Sequence, residues 1–452
     1  MSGTFSSLST ALSALHYNRV AMDVHAGNVA NVGTDGYARR RVVGESVAGP
    51  DVPALWSRYD AAGAGVRVSS IDRMVDPLLD ARARTEHSEQ FLLDGRAEVL
   101  LRVESGLGEP GDNGVAAALT EYWNGWHDVA NNPGDGAARS QLIARAENVT
   151  AAFSGQARTV TTEWSDQRTK LDALATEVNT IAGDLAELND SIRVATATGT
   201  EAGTLLDRRD QLTLRLAELV GARSTVAGDG SVEVQVSGAT LVSGTTTGTF
   251  AVSDGAALGE SVRLTVGGTD VTVTGGAVGA VTSLLVRTLP DYLARLDAVA
   301  AEFATAVNDQ HRLGYDKTAA NAPGGDFFTG TTAATLQVAI SDPDRIAASG
   351  VQGTLDSSNA HALAALSAGD ESYRRLVTDF GAEVASARRV ADNQRVLTNQ
   401  VDGSREALSG IDIDEEMVQM LAHQRAYEAA ARVITTIDSV LDTLINRMGL
   451  VR

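Results

Sequence analysis

Apolar residues near the N-terminus fall at Phe5, Leu8, Leu12, Leu15, Met22, Ala26 and Val29, spaced 3-4-3 with one break at Arg19. The C-terminus carries a matching row: Met417, Met420, Tyr427, Ala431, Ile434, Leu441, Ile445 and Met448. A spacing averaging about 3.5 residues keeps one seam of a helix turned toward a partner helix. Two such seams at opposite ends predict terminal helices that pair with each other, with the rest of the chain inserted between them.

Between these ends the period changes several times. Residues 38–75 are extended in character, with β-like runs at Arg41–Val43 and Val66–Val68. Asp76-Pro77 reads as a helix start, since Asp caps free N–H groups and Pro loses nothing at the first helical position. That helix is expected to run to about Gly106, and a second to run from Gly114 to Asn131-Asn132-Pro133. The longest helix is expected through Val160, Trp164, Leu171, Leu174, Val178, Ile181, Leu185, Leu188 and Ile192, and a shorter one follows through Leu205 to Leu219. From about 222 the period falls to two. Val232, Val234 and Val236 alternate behind Gly228-Asp229-Gly230, and Val262, Leu264 and Val266 alternate before Gly267-Gly268, which predicts antiparallel hairpins. These hairpins are expected to form a two-faced sheet with a modest core of its own. Helix resumes with Thr288 and Pro290 as its start, and a last body helix carries Tyr373 to Ala391. The predicted fold is mainly α with a small β insert, in a nested architecture. Paired terminal helices comprise 1–37 and 410–452, a helical-bundle body comprises 38–221 and 281–409, and an outer β region comprises 222–280.

Composition narrows the chemistry. Of 452 residues 43% are apolar but only 4% aromatic, so Ala, Leu and Val must build the cores, which suits helix seams better than deep cofactor pockets. A net charge of −21 opposes binding to nucleic acid or to anionic membrane surfaces. The absence of cysteine excludes disulfides and thiolate chemistry. No run approaches the ~20 apolar residues of a membrane helix, and the N-terminus lacks the pattern of a cleavable secretory signal. The seven histidines form no zinc-hydrolase pattern, and neither phosphate-loop nor nucleophile-elbow motifs occur. Asp412, Asp414, Glu415 and Glu416 could offer oxygens to a divalent cation. Directly before the Met417 seam they read better as a helix start, with Asp414 as cap and the glutamates at the positive helix end. His127 and Asp128, about 100° apart on a helix, cannot face each other, and Trp123 and Trp126 read as core. No catalytic, metal or cofactor site is expected.

The segment Asn28-Val29-Ala30-Asn31-Val32-Gly33-Thr34-Asp35-Gly36-Tyr37, followed by Arg39, resembles the signature of the bacterial flagellar rod, hook and hook-associated axial proteins. Asn and Gly there tolerate left-handed backbone, and Tyr37 fixes the chain after the turn. Asp414-Glu415-Glu416-Met417, Gln424-Arg425-Ala426-Tyr427, Val433-Ile434-Thr435-Thr436 and Asp442-Thr443-Leu444 resemble the matching C-terminal signature. Leu205 to Leu212, including Asp207, Arg209 and Asp210, resembles a segment of the hook-associated protein 1 family, the first junction proteins between hook and filament. So do Asn131-Asn132-Pro133 with Ala137-Ala138-Arg139, and Thr288 through Gly314. The resemblance implies a non-enzymatic adaptor exported unfolded through the flagellar type III apparatus to the hook–filament junction. Its implied partners are hook protein, a second junction protein, further copies of itself in a ring and an export chaperone. It also implies a reduced outer domain, because the β region is short.

Overall fold

The computed structural model describes residues 2–47, 65–112 and 114–443, with side chains from residue 7 onward. Helix α1 (Ser2–Ala30) leads into a hairpin of β1 (Arg40–Ser46) and β2 (Val66–Arg73). The body begins with α2 (Pro77–Leu107), α3 (Val115–Asn131), α4 (Gly136–Thr198) and α5 (Gly203–Val220). Asp76 caps α2 by accepting from the Leu78 and Leu79 amides, with Pro77 at the first position.

Helix α4 runs for 63 residues, starting well before the expected Val160. Asp135 caps it and Gly199, at φ +66°, ends it. Its buried face keeps a 4-3 repeat from Leu142 through Ala146, Val149 and Phe153 onward to Ile192. Gln156 and Gln167 occupy that repeat as buried polar residues; the expected helix bridges Gln167 but begins only beyond Gln156.

Two small antiparallel sheets follow. One orders as β3 (Arg223–Val226), β4 (Val232–Val236), β5 (Ala239–Ser243) and β6 (Thr246–Thr247); the other as β7 (Phe250–Asp254), β8 (Val262–Val266) and β9 (Thr269–Val271). Two-residue turns with positive φ, Ser237-Gly238 and Gly267-Gly268, join β4 to β5 and β8 to β9, the geometry that matches strand twist. The sheets do not keep a core to themselves. Val232, Val234, Phe250 and Leu264 belong to one continuous apolar core with α4. One asparagine of α4 holds each sheet: Asn179 exchanges two 2.8 Å hydrogen bonds with the Phe250 backbone, and Asn189 binds Val232 N–H, Val232 O and Gly244 O. The expected self-contained insert is therefore a layer clamped on the long helix. Its two ends meet where Gly221 touches Gly275. Residues 276–280, placed with the insert by sequence, begin helix α6 (Gly276–Ser283), which packs on α2 and α5.

Thr288 does not start a helix. Helix α6 passes through a π turn (Leu284–Thr288) straight into α7 (Leu289–His311), and the Trp164 indole N–H donates to Leu285 O at 3.1 Å within that wider turn. The chain then forms short strands β10 (Phe328–Thr329) and β11 (Gln337–Val338), a 3-10 turn at 343–345, α8 (Ser358–Ala364), α9 (Asp370–Ser409) and α10 (Ile413–Asp442). Tyr122, Trp123, Trp126, Phe303, Phe327 and Phe328 interlock at one end of the body, with rings meeting mostly edge-on.

At the chain ends α1 packs along α10, and the β1–β2 hairpin packs on α1. Ser13 Oγ accepts from Val66 N–H at 3.2 Å, and Gly44 lies against the Tyr17 ring, where any side chain would collide. Strands β1 and β2, assigned to the body by sequence, thus sit with the terminal helices. The reason is local: the hairpin's inward residues have α1 as their nearest apolar surface.

A buried polar clasp between the chain ends

The face that α1 turns toward α10 is Ala11, Asn18, Ala21 and Asn28, one position away from the expected seam. Small and polar residues let the helices approach. The larger apolar residues fall on the flank: Leu8, Leu15, Met22 and Val29 are half-buried and Leu12 is 62% exposed. On α10, Met420, Tyr427, Ile434 and Leu441 are half-buried, while Met417 is 41% exposed. Gln424 is exposed. The Phe5 side chain, Leu444, Ile445 and Met448 lie outside the described residues.

The centre of the contact is Glu416, fully buried. Its Oε2 accepts from Asn28 Nδ2 at 2.8 Å and from His25 Nδ1 at 2.6 Å, and its Oε1 accepts from Arg39 Nε at 2.7 Å. Burial would raise this carboxyl, but the bonds from Asn28 and His25 and the Arg39 charge outweigh it and hold the group below the ordinary glutamate value. The helix cap is Asp412, which accepts from the Asp414 and Glu415 amides, so the expected cap at Asp414 is two residues late. The role of Glu416 was not read from sequence. A Glu in a first helical turn looks like a dipole partner, and its three donors lie 377 or more residues away. Two turns further, His423 Nδ1 donates to Asn18 Oδ1 at 2.9 Å, and its ring stacks on His25 at 5.4 Å. Burial, with the neighbouring His25, lowers its pKa.

Asn28 is read from both sides. Its Oδ1 accepts from the Tyr37 hydroxyl and the Arg40 N–H, each at 3.0 Å, and its Nδ2 also donates to Arg40 O. The turn between them needs Gly36 twice over: φ is +73°, and a Cβ would strike the Gln211 side chain, which donates to Asp35 O. Asn31 closes the helix end through Gly27 O and Thr34.

Arg39 also ties down both segments that leave for the body: its N–H donates to Ser409 O and its carbonyl accepts from Met74 N–H. A second layer of charge fixes the clasp to α5. Arg73 pairs with Asp207 and Asp210 at 2.8 Å, Arg40 pairs with Asp207 at 3.2 Å, and Arg209 holds Asp210 and Gly230 O. The Arg40 guanidinium lies 4.9 Å from the centre of the Tyr37 ring. Asn28, Tyr37, Arg39, Asp207 and Asp210, scattered in sequence, thus meet in one network. Arg139 serves elsewhere: fully enclosed, it donates to the Pro133, Pro343 and Ile346 carbonyls and locks the α3–α4 turn.

Among the described residues no group of three or more His, Cys, Asp or Glu could hold a metal ion, and no helix is long and apolar enough to cross a membrane. What the arrangement does is mechanical: it locks two chain ends together and onto one body.

Residues 100–328 match the family model of the flagellar hook-associated protein FlgK helical domain. Residues 406–448 match the flagellar basal body rod FlgEFG protein C-terminal model. The chain is 30% identical to flagellar hook-associated protein 1 of Bacillus subtilis, over 99% of both chains. It is 22% identical to that of Escherichia coli, over 97% of this chain and 99% of the relative. The hook junction protein FlgK of Burkholderia pseudomallei, 16% identical, superposes with a TM-score of 0.65, covering 74% of this chain and all of that one, and shares the fold. The chain belongs to the FlgK family of flagellar hook-associated proteins.

Proposed function

We propose that this chain is the adaptor subunit that joins hook to filament, with α1 and α10 forming the inner layer, the helical body around it and the β sheets outermost. The observation that carries the reading is the incomplete cover of the terminal pair. The two helices meet along a polar line and leave apolar rows open on both flanks, Leu12 on α1 and Met417, Val418 and Leu421 on α10. Such rows stabilise nothing in one chain and become a seam once neighbouring subunits cover them. Copies of this chain, hook protein and a second junction protein are the partners in that seam. An export chaperone would shield it beforehand, on the route through the flagellar type III apparatus. Purified chain should add to the tips of isolated hooks and then support addition of the second junction protein. Addition to filament tips instead would assign it to another axial position.

A further inference from the structure

The two histidines of the clasp, His25 on α1 and His423 on α10, lie face to face, with ring planes only 23° from parallel. Asn18 fixes the state of the second ring. Its Nδ2 donates to Ala14 O at 2.7 Å, which leaves Oδ1 as the acceptor, so His423 Nδ1 carries the hydrogen. His423 Nε2 makes no hydrogen bond among the described residues. A proton taken up by this ring therefore lands on Nε2, where no acceptor meets the new N–H. Tyr17 offers the ring only an edge, with centres 6.0 Å apart. The buried carboxylate nearby, Glu416, is already matched by His25, Asn28 and Arg39, and Glu415 pairs with Arg39 as well. His16, Arg19 and Asp23 on α1, with Arg425 and Glu428 on α10, are exposed and bond to neither ring.

We propose that His25 and His423 form a pH-sensitive latch on the terminal pair: when both rings carry a proton, α1 and α10 part while the body keeps its fold. Two facing imidazolium rings repel, and the single charge of Glu416 is divided between His25 and Arg39. Burial and the neighbouring His25 already set His423 below the ordinary histidine value of roughly 6.5. The separated helices thus accept a proton that the clasped helices refuse, so acid favours separation. Glu416, itself held below the ordinary glutamate value, stays charged at pH 5.5 and opens no earlier step. The contact line magnifies the effect. Ala11, Asn18, Ala21 and Asn28 bury little apolar surface between the helices, so the polar network carries most of their attachment. Proton concentration then sets whether the chain ends meet a neighbour as one clasped unit or as two separate helices.

Hydrogen exchange of the full chain at pH 7.5 and 5.5, corrected for the intrinsic pH dependence of exchange, tests the latch. In wild type, the α10 segment 416–430 should open about three- to tenfold more at pH 5.5, the upper figure being the ceiling for one histidine a unit below its ordinary value. His423→Gln keeps a donor toward Asn18 but takes no proton, and its ratio should fall to about one. His25→Gln keeps a donor toward Glu416 and removes the facing charge, so its ratio should fall part of the way. Either variant can loosen the clasp at both pH values without disturbing the ratio, which is the quantity read. A wild-type ratio of one, a full ratio in either variant, or an equal difference between wild type and His423→Gln in α4 would each overturn the latch. The measurement needs no hook, so its outcome stands apart from the junction role.

Discussion

Glu416 and Asn28 lie 388 positions apart in the chain and 2.8 Å apart in the fold. Every donor around Glu416 is committed to its charge, so Glu416→Gln would set an amide N–H against Asn28, His25 or Arg39. Buried networks lose more from one mismatched member than the mean hydrogen bond is worth. Local stability of the terminal pair should fall by about 2 kcal/mol, or roughly thirtyfold faster hydrogen exchange in α10. Exchange in α4 should be unchanged. Equal acceleration in both helices would mean that the clasp does not act locally.

Ile181 sits on the buried face of α4 and Asp184 on its exposed face. Ile181→Asp should destabilise the body by about 4 kcal/mol, because it sets an unpaired charge in the core and loses apolar contact. Asp184→Asn should stay within about 0.5 kcal/mol. Equal shifts in urea midpoint would contradict the 4-3 register of the helix.

Two histidines should give opposite pH dependence. His311 is fully buried; its Nδ1–H donates to Gly325 O and its Nε2 accepts from Ala347 N–H, and burial lowers its pKa to about 4. Below pH 6.5 the unfolded chain takes a proton that the folded chain refuses, so stability falls between pH 6.5 and 4, by at most about 3 kcal/mol. His87 is bonded to Glu218 and also to Asp402, which raises its pKa despite burial. Its contribution is complete below pH 6.5 and is lost as pH rises through the folded value. Subtracting His311→Asn and His87→Gln urea profiles from wild type should give slopes of opposite sign, each in its own window.

The contact between Gly221 and Gly275 makes the β layer removable in outline. A short Gly/Ser linker replacing 224–273 closes a small gap at little entropic cost. Because Asn179 and Asn189 then lose their strands, the shortened protein should melt several degrees lower while keeping its helical circular dichroism. It should still be secreted and still join hooks. A shortened protein that is folded and secreted but fails on hooks would move the sheets into the junction contact.

The strongest periodicities were legible in the chain itself. Paired ends, the Asp76-Pro77 start and the Val232 hairpins follow from spacing and turn residues alone. What escaped was polar. Gln156 interrupted the apolar row just before the expected start at Val160, and Asn18 and Asn28 shifted the α1 face by one residue. Glu416 passed for a helix-end charge. In each case a polar side chain takes a core position because a distant partner satisfies it, and no local window holds that partner. Thr288-Leu289-Pro290 misled for a different reason. Proline fits a helix start, but it is also tolerated next to a π turn, where the backbone ladder is already rearranged.

An unbroken helix of 63 residues is about 95 Å long at 1.5 Å per residue. With both sheets and α3 fastened along it, α4 makes the body a stiff spar that turns as one piece. Only two segments connect the terminal pair to that spar, 74–76 and 410–412, and both are stapled beside Arg39. Any twisting load passed between the terminal helices and the body is therefore borne at that crossing. The Arg40–Asp207 and Arg73–Asp207 pairs, which cross to α5, take it in shear.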